Sequence, residues 1–136
     1  MKRIKFWIPA AFWAGVIFWF SGLQVAPSSD FYWHDFAIKK TAHLVEYAIL
    51  FLLVYRALIN TTTIDKRKAA LFVFLFIVLY GASDEYHQSF TPGREPRLRD
   101  VIIDGAGGGI AWLGLWKYLP KAPKKLKNLA KNLRIK

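Results

Sequence analysis

The chain contains no cysteine in its 136 residues, so neither a disulfide nor a thiolate metal site is available to it. Acidic residues are few as well: nine against twenty lysines and arginines, for a formal charge of +11. There is no Gly-x-Ser-x-Gly and no His-Glu-x-x-His, which removes the most familiar motifs of serine hydrolysis and zinc proteolysis. No internal repeat is evident, and from Phe6 to Ala26 there is no charge at all. In place of these stand apolar residues at 54% and aromatics at 17%. A basic chain suits a soluble nucleic-acid binder when its bases and aromatics share a face. Here they do not, and the composition points to a membrane protein without a nucleic-acid partner.

Four apolar segments can be marked. Phe6 to Ala26, at about 1.5 Å per residue, covers the roughly 30 Å hydrocarbon core of a bilayer. It exceeds the apolar stretch of about 7 to 15 residues in a signal peptide and carries the bulky Trp7, Trp13 and Trp19, so it reads as a retained helix. Thr41 to Ile59 is the second, with His43 and Glu46 in its first turns. Ala69 to Ser83 is short for a span and is expected to reach full length only by continuing through Asp84 to Gln88. Val101 to Leu119 is the fourth, and it holds Asp104 and the run Gly107-Gly108-Gly109. The expectation is an all-α, membrane-embedded four-helix bundle.

Charge orients it. Fifteen of the twenty bases fall at the N-terminus, at the end of the second segment and in the connection after it, or in the tail from Lys117. Lys39, Lys40, Arg94, Arg97 and Arg99 fall on the other side. Basic loops stay inside, so both termini are expected in the cytoplasm of a multi-pass protein of the bacterial cytoplasmic membrane. Every acid except Asp65 then lies in the outer half. Residues 1–119 read as the transmembrane domain and 120–136 as a basic cytoplasmic tail. That tail would lie on anionic lipid, at about 1 kcal/mol per base near the surface.

Charge at membrane depth costs roughly 2.5 to 3.5 kcal/mol even on the lenient insertion scale, so polar residues there usually pair or line a site. In the second segment Lys40, His43, Tyr47, Leu50 and Val54 follow helical steps along one stripe, with Glu46 beside it. At the end of the third, Asp84, His87 and Gln88 share a side and Glu85 lies on the next. Thr91-Pro92-Gly93-Arg94 has the Pro-Gly order of a type II turn. It would swing Arg94, Arg97 and Arg99 back over the acids or toward lipid phosphates, both suited to the guanidinium fork. Asp100 and Asp104 stack on one face of the fourth segment, continued by Gly107 or Gly108 and Ala111. Asp100 alternatively caps that helix. Asp104 lies a turn deeper and needs a partner, which Lys40, His43 or Arg94 could supply. Gly105 and Gly109 have the small-residue spacing of close helix packing.

Lys40-x-x-His43-x-x-x-Tyr47, Asp84-Glu85-x-x-Gln88-x-Phe90-x-Pro92-Gly93-Arg94 and Asp100-x-x-x-Asp104-x-x-Gly107 together resemble the VanZ-like family of small bacterial membrane proteins, over most of the chain up to about Leu119. The family commonly has asparagine or a similar polar residue where Asp104 stands. Its founding member is associated with low-level resistance to the glycopeptide teicoplanin, so the resemblance implies cell-envelope work outside the membrane.

Three readings are open at this point. The first is an enzyme acting on a lipid-linked or phosphate-bearing envelope substrate. It would use His43, Asp84 or Glu85 as acid or base and Lys40 and Arg94 to hold phosphate, with Glu46, Tyr47, Gln88, Asp100 and Asp104 completing the site. The second is a non-catalytic binder of an envelope lipid or glycopeptide, its groove including Phe31, Tyr32 and Trp33 of the first outer loop. The third is a scaffold whose polar groups lock the helices together. His43, Glu46, Asp84, Glu85, His87, Asp100 and Asp104 also offer nitrogen and oxygen donors to a metal, but without a fixed ligand spacing they name no ion or cofactor.

Overall fold

A computed structural model describes residues 3–23, 32–92, 94 and 97–135; of Tyr32 and Asp35 it describes the backbone alone. The described residues form helices and connections and contain no strand. Helix α1 is Ile4–Ser21, α2 Tyr32–Thr61, α3 Lys66–Gln88, α4 Leu98–Leu113 and α5 Lys124–Asn132. The first three are long and apolar enough to cross a membrane.

The boundaries have local causes. Asp65 caps α3, its carboxylate accepting from the amides of Arg67 at 2.9 Å and Lys68 at 3.2 Å. As expected, α3 runs on through Asp84 to Gln88. Helix α2 starts at Tyr32 rather than near Thr41. Residues 32–41 contain no glycine or proline, so the helix continues past the charges of Lys39 and Lys40. Trp33 therefore belongs to a helix and not to a loop, while Phe31 lies outside the described residues.

Helix α4 starts earlier than expected, at Leu98, and ends earlier, at Leu113. The chain then widens into one π turn, Gly114–Tyr118, in which the Leu119 amide reaches back to the Gly114 carbonyl. A 3-10 turn, Leu119–Lys121, follows. Pro120 has no N–H to offer the carbonyl four residues before it, so the α pattern cannot continue there. The break leaves α4 too short to count as a span by itself, although the expected fourth segment ran unbroken to Leu119.

Helix α2 is central: it packs on α1 and α3, and most extensively on α4, which also lies along α3. The core is built from Tyr47, Leu50, Phe51, Val54 and Tyr55 of α2, Val73 and Ile77 of α3, Ile17 of α1 and Ala111 of α4. Glycine sets how closely α4 approaches. A Cβ on Gly107 would lie 2.3 Å from the Leu44 backbone oxygen of α2, and one on Gly108 2.9 Å from Ile77 of α3. Gly105 and Gly109, the expected packing pair, make only ordinary contact with Val78 and Phe74. On the outside, Phe12, Trp19, Phe72, Leu79 and Ile102 are exposed. An apolar exterior of this extent is suited to lipid rather than water.

The tail does form a basic helix, α5. It is tied to the far end of α2, where Arg56 Nε donates to the Leu133 carbonyl at 2.6 Å and Asn60 Nδ2 to the Arg134 carbonyl at 2.8 Å. Nearby lies a cavity of about 290 Å³, lined in part by Tyr55, Lys66, Arg67 and Trp116. Asp65 also lines it, and it stands at the opposite end of the helices from Asp84, Asp100 and Asp104.

Candidate functional site

The predicted stripe on α2 faces α4. Tyr47 and Leu50 are fully buried, Val54 nearly so, and Lys40 and His43 occupy the same face toward the start of the helix. The α4 face made of Asp100, Asp104, Gly107, Gly108 and Ala111 is also buried. Opposed along one interface, these stripes bring bases against acids.

The outermost pair is Lys40 with Asp100, Nζ to Oδ2 at 2.6 Å. Arg99 approaches the same carboxylate at 3.5 Å. Asp100 does not cap the helix: the cap position belongs to Arg97, and Asp100 sits in the first turn. Its acidic charge is favourable there, at the positive end of the helix dipole. Phe36 provides a floor, with the Arg99 guanidinium 4.7 Å and the Lys40 ammonium 5.8 Å from its ring centre.

One turn deeper, His43 Nδ1 lies 3.2 Å from Asp104 Oδ1. Of the three partners possible for Asp104, the fold selects the histidine. Its other oxygen, Oδ2, is buried without a hydrogen-bond partner, as is the Tyr47 hydroxyl. Tyr47 stacks nearly parallel to His43 at 6.3 Å. Gly81 of α3 makes the room: a Cβ there would come within 3.2 Å of Asp104 Oδ2 and 3.6 Å of the Tyr47 ring.

Asp84 enters from α3 and is 1% exposed. It accepts a hydrogen bond from the Ser21 hydroxyl at the end of α1, and one from Gln88 Nε2 at 2.9 Å. Gln88 turns its carbonyl to Arg94 Nη1 at 2.7 Å, and Arg94 Nη2 reaches the Leu23 carbonyl at 3.3 Å. A chain of polar groups thus runs from the α1 terminus through α3 to the loop. The backbone closes this loop from the Arg94 amide to the Thr91 carbonyl at 3.1 Å. Gly93, at the third position of the expected turn, lies outside the described residues.

The remaining candidates stand at the margins. Glu85 is buried and accepts from the Arg97 amide at 3.0 Å, which anchors the start of α4 to α3. Glu46 is half-buried, and its carboxylate accepts no hydrogen bond among the described residues. Its backbone carbonyl takes the Trp13 indole at 2.9 Å. His87 stacks on Phe18 of α1 at 3.8 Å, against a Gly22 on which any Cβ would come within 2.9 Å of the imidazole.

Sequence reasoning missed two residues. Ser21 was readable as the first polar side chain after the long apolar run of α1. Gly81 was readable as a lone glycine one turn before Asp84.

The arrangement has a part for anion binding in Arg94, while Lys40 and Arg99 are paired with Asp100. It also has a histidine held by a carboxylate for proton transfer. His43, Asp84 and Asp104 converge tightly enough to hold a metal ion: one ligand atom from each lies within 4.8 Å of the other two.

A family model described as VanZ/LLP1 matches residues 3–119. The chain belongs to that family, and its apolar helices fit an integral membrane protein. No curated protein and no solved structure matches it significantly.

Proposed function

From membership of the VanZ/LLP1 family and from the polar cluster at one end of the helices, we propose a multi-pass protein of the bacterial cytoplasmic membrane. Its four helical segments cross with both termini inside, α4 completing its crossing through the π and 3-10 turns. Its outward-facing site binds a phosphate-bearing or lipid-linked envelope molecule. The observation that carries this reading is Arg94. It is half-buried, and among the described residues its guanidinium is held only by neutral acceptors, Gln88 Oε1 and the Leu23 carbonyl. Guanidinium has five N–H donors, so the positive charge and several donors remain for an anion. Lys40, over the Phe36 floor, is ion-paired with Asp100 at 2.6 Å, so Arg94 is the cation this reading relies on.

Native mass spectrometry of gently solubilised protein tests this. A phosphate-bearing envelope lipid, such as a polyprenyl phosphate, is expected with wild type and lost with Arg94→Ala. Product formation from that lipid would assign chemistry, with His43 as the acid or base; saturable binding without product would assign a binder. Through the family resemblance, the proposed role extends to an effect on teicoplanin susceptibility, read as the inhibitory concentration with and without Arg94→Ala.

A second reading has its own support. Lys40 with Asp100, Glu85 with the Arg97 amide, and Ser21 with Asp84 and Gln88 satisfy one another, as a structural lock requires. Only bulk phospholipid, at equal amounts in wild type and Arg94→Ala, would favour it.

A further inference from the structure

We propose that His43, Asp84 and Asp104 hold a divalent transition-metal ion, with Zn²⁺ or Mn²⁺ as the matching class. The three residues come from α2, α3 and α4 and so meet only in the folded chain. Asp84 and Asp104 are each 1% exposed. Two ionised carboxylates this close and this deep need compensating positive charge. The hydrogen bonds to Asp84 come from Ser21 and Gln88, which are neutral, and the cations Lys40 and Arg99 are committed to Asp100. That leaves His43 as the only base in contact with Asp104 among the described residues, and one imidazolium balances at most one of two carboxylates. A divalent ion with neutral imidazole balances both.

A second observation is independent of the charge count. Asp104 Oδ2 has no hydrogen-bond partner, and the Tyr47 hydroxyl, fully buried, has none either. Buried polar atoms are almost always satisfied, so two orphans around one cluster mark a place for something else. Gly81 holds this place open, since a Cβ there would crowd Asp104, 3.1 Å from its Cβ and 3.2 Å from its Oδ2.

Geometry and donor type agree. The ligand atoms lie within 4.8 Å of one another. Donors about 2.1 Å from a tetrahedral ion stand about 3.4 Å apart, so binding asks the side chains to close by about an ångström. One imidazole with two carboxylates suits zinc or manganese; calcium takes six to eight oxygens and is not matched. His43 is 17% exposed at its side chain, which gives the ion a way in. Three protein ligands leave a position open to an outside oxygen. Offering that position to a phosphate rests on the function proposed above; the metal site does not.

The test uses full-length protein purified in detergent on an affinity tag without histidine, stripped with chelator and then dialysed against Zn²⁺ or Mn²⁺ alone. Metal content is read by mass spectrometry and thermal unfolding is read with and without the ion. Wild type is expected to hold about one ion per chain and to melt higher with it. His43→Ala and Asp104→Asn should bind more than about tenfold more weakly and show no shift. His87→Ala removes another histidine at this end, one outside the cluster, and should keep the ion. Wild type that binds no stoichiometric metal overturns the proposal, whatever the variants do. Equal metal in wild type and His43→Ala, or loss of metal in His87→Ala, overturns it too. None of these readouts depends on a bound lipid, so the site fails or stands separately from the envelope reading.

Discussion

The two ends of the α2–α4 interface are built on opposite principles. At the end holding Lys40, His43 and the aspartates, charge is buried, paired and shared among three helices and the α1 terminus. At the end holding α5, the bases are exposed, and the contacts are side chains of α2 donating to the last carbonyls of the tail. Buried pairs must be matched atom by atom because low dielectric magnifies each mismatch. Exposed bases are solvated and gain by number rather than position. The first end therefore reads as a site and the second as an attachment surface.

The largest expected effect concerns the close packing that brings the two stripes together. Gly107→Ala should lower stability by about 3 kcal/mol, at the top of the usual overpacking range, because the obstacle is the Leu44 backbone rather than a side chain that can swing away. Gly15 has nothing within 4 Å of a Cβ, so Gly15→Ala should leave stability unchanged or raise it by up to about 1 kcal/mol. Thermal unfolding in detergent compares them; similar melting temperatures would break the claim that α4 is seated by glycine.

Asp84→Ala comes next. It strands the Gln88 Nε2 amide in the interior, at roughly 1 to 3 kcal/mol for an unsatisfied group, and removes a fully buried side chain, while the Ser21 hydroxyl keeps the Phe18 carbonyl at 3.1 Å as its acceptor. The double change Arg56→Ala with Asn60→Ala, at the other end, removes two hydrogen bonds to the tail worth about 1 kcal/mol each. It should speed tryptic cleavage within α5 with less loss of melting temperature than Asp84→Ala. A larger loss from the tail pair would reverse the contrast between the ends.

The smallest effect is a pH dependence at Asp65. The Lys68 amide, with that of Arg67 and both neighbouring positive charges, holds its carboxyl below the ordinary 3.8. A lowered folded value means the cap contributes fully above the ordinary value and is lost as pH falls through the folded one. The melting difference between wild type and Asp65→Ala should be constant near neutral pH and close below 3.8. A difference that persists unchanged at low pH would show that the charge does not serve the cap.

Much of this was legible in the chain. The α2 and α4 stripes follow from helical spacing, and the run of α3 through Asp84 to Gln88 follows from the length a span needs. Pairing was not legible, since Lys40, His43 and Arg94 were equal candidates for Asp104 until the helices set their relative depth. The Ser21 contact was hidden for the same reason: it joins residues 63 apart and depends on where α1 ends. The early start of α2 was obscured by reading charge as a boundary, although a helix can carry Lys39 and Lys40 beyond the apolar core. Gly107 was seen as part of a glycine run, but its selection over Gly105 and Gly109 needs the backbone of α2 in place.

The measurement that most directly tests an outward site opposite an inward basic end is side-specific thiol labelling. The chain has no cysteine, so Ser89→Cys beyond α3 and Thr62→Cys beyond α2 each give a unique thiol at an exposed position. A membrane-impermeant maleimide applied to intact cells should label Ser89→Cys, and should label Thr62→Cys only after the membrane is opened. Labelling of Thr62→Cys alone in intact cells, or of both from one side, would contradict the account.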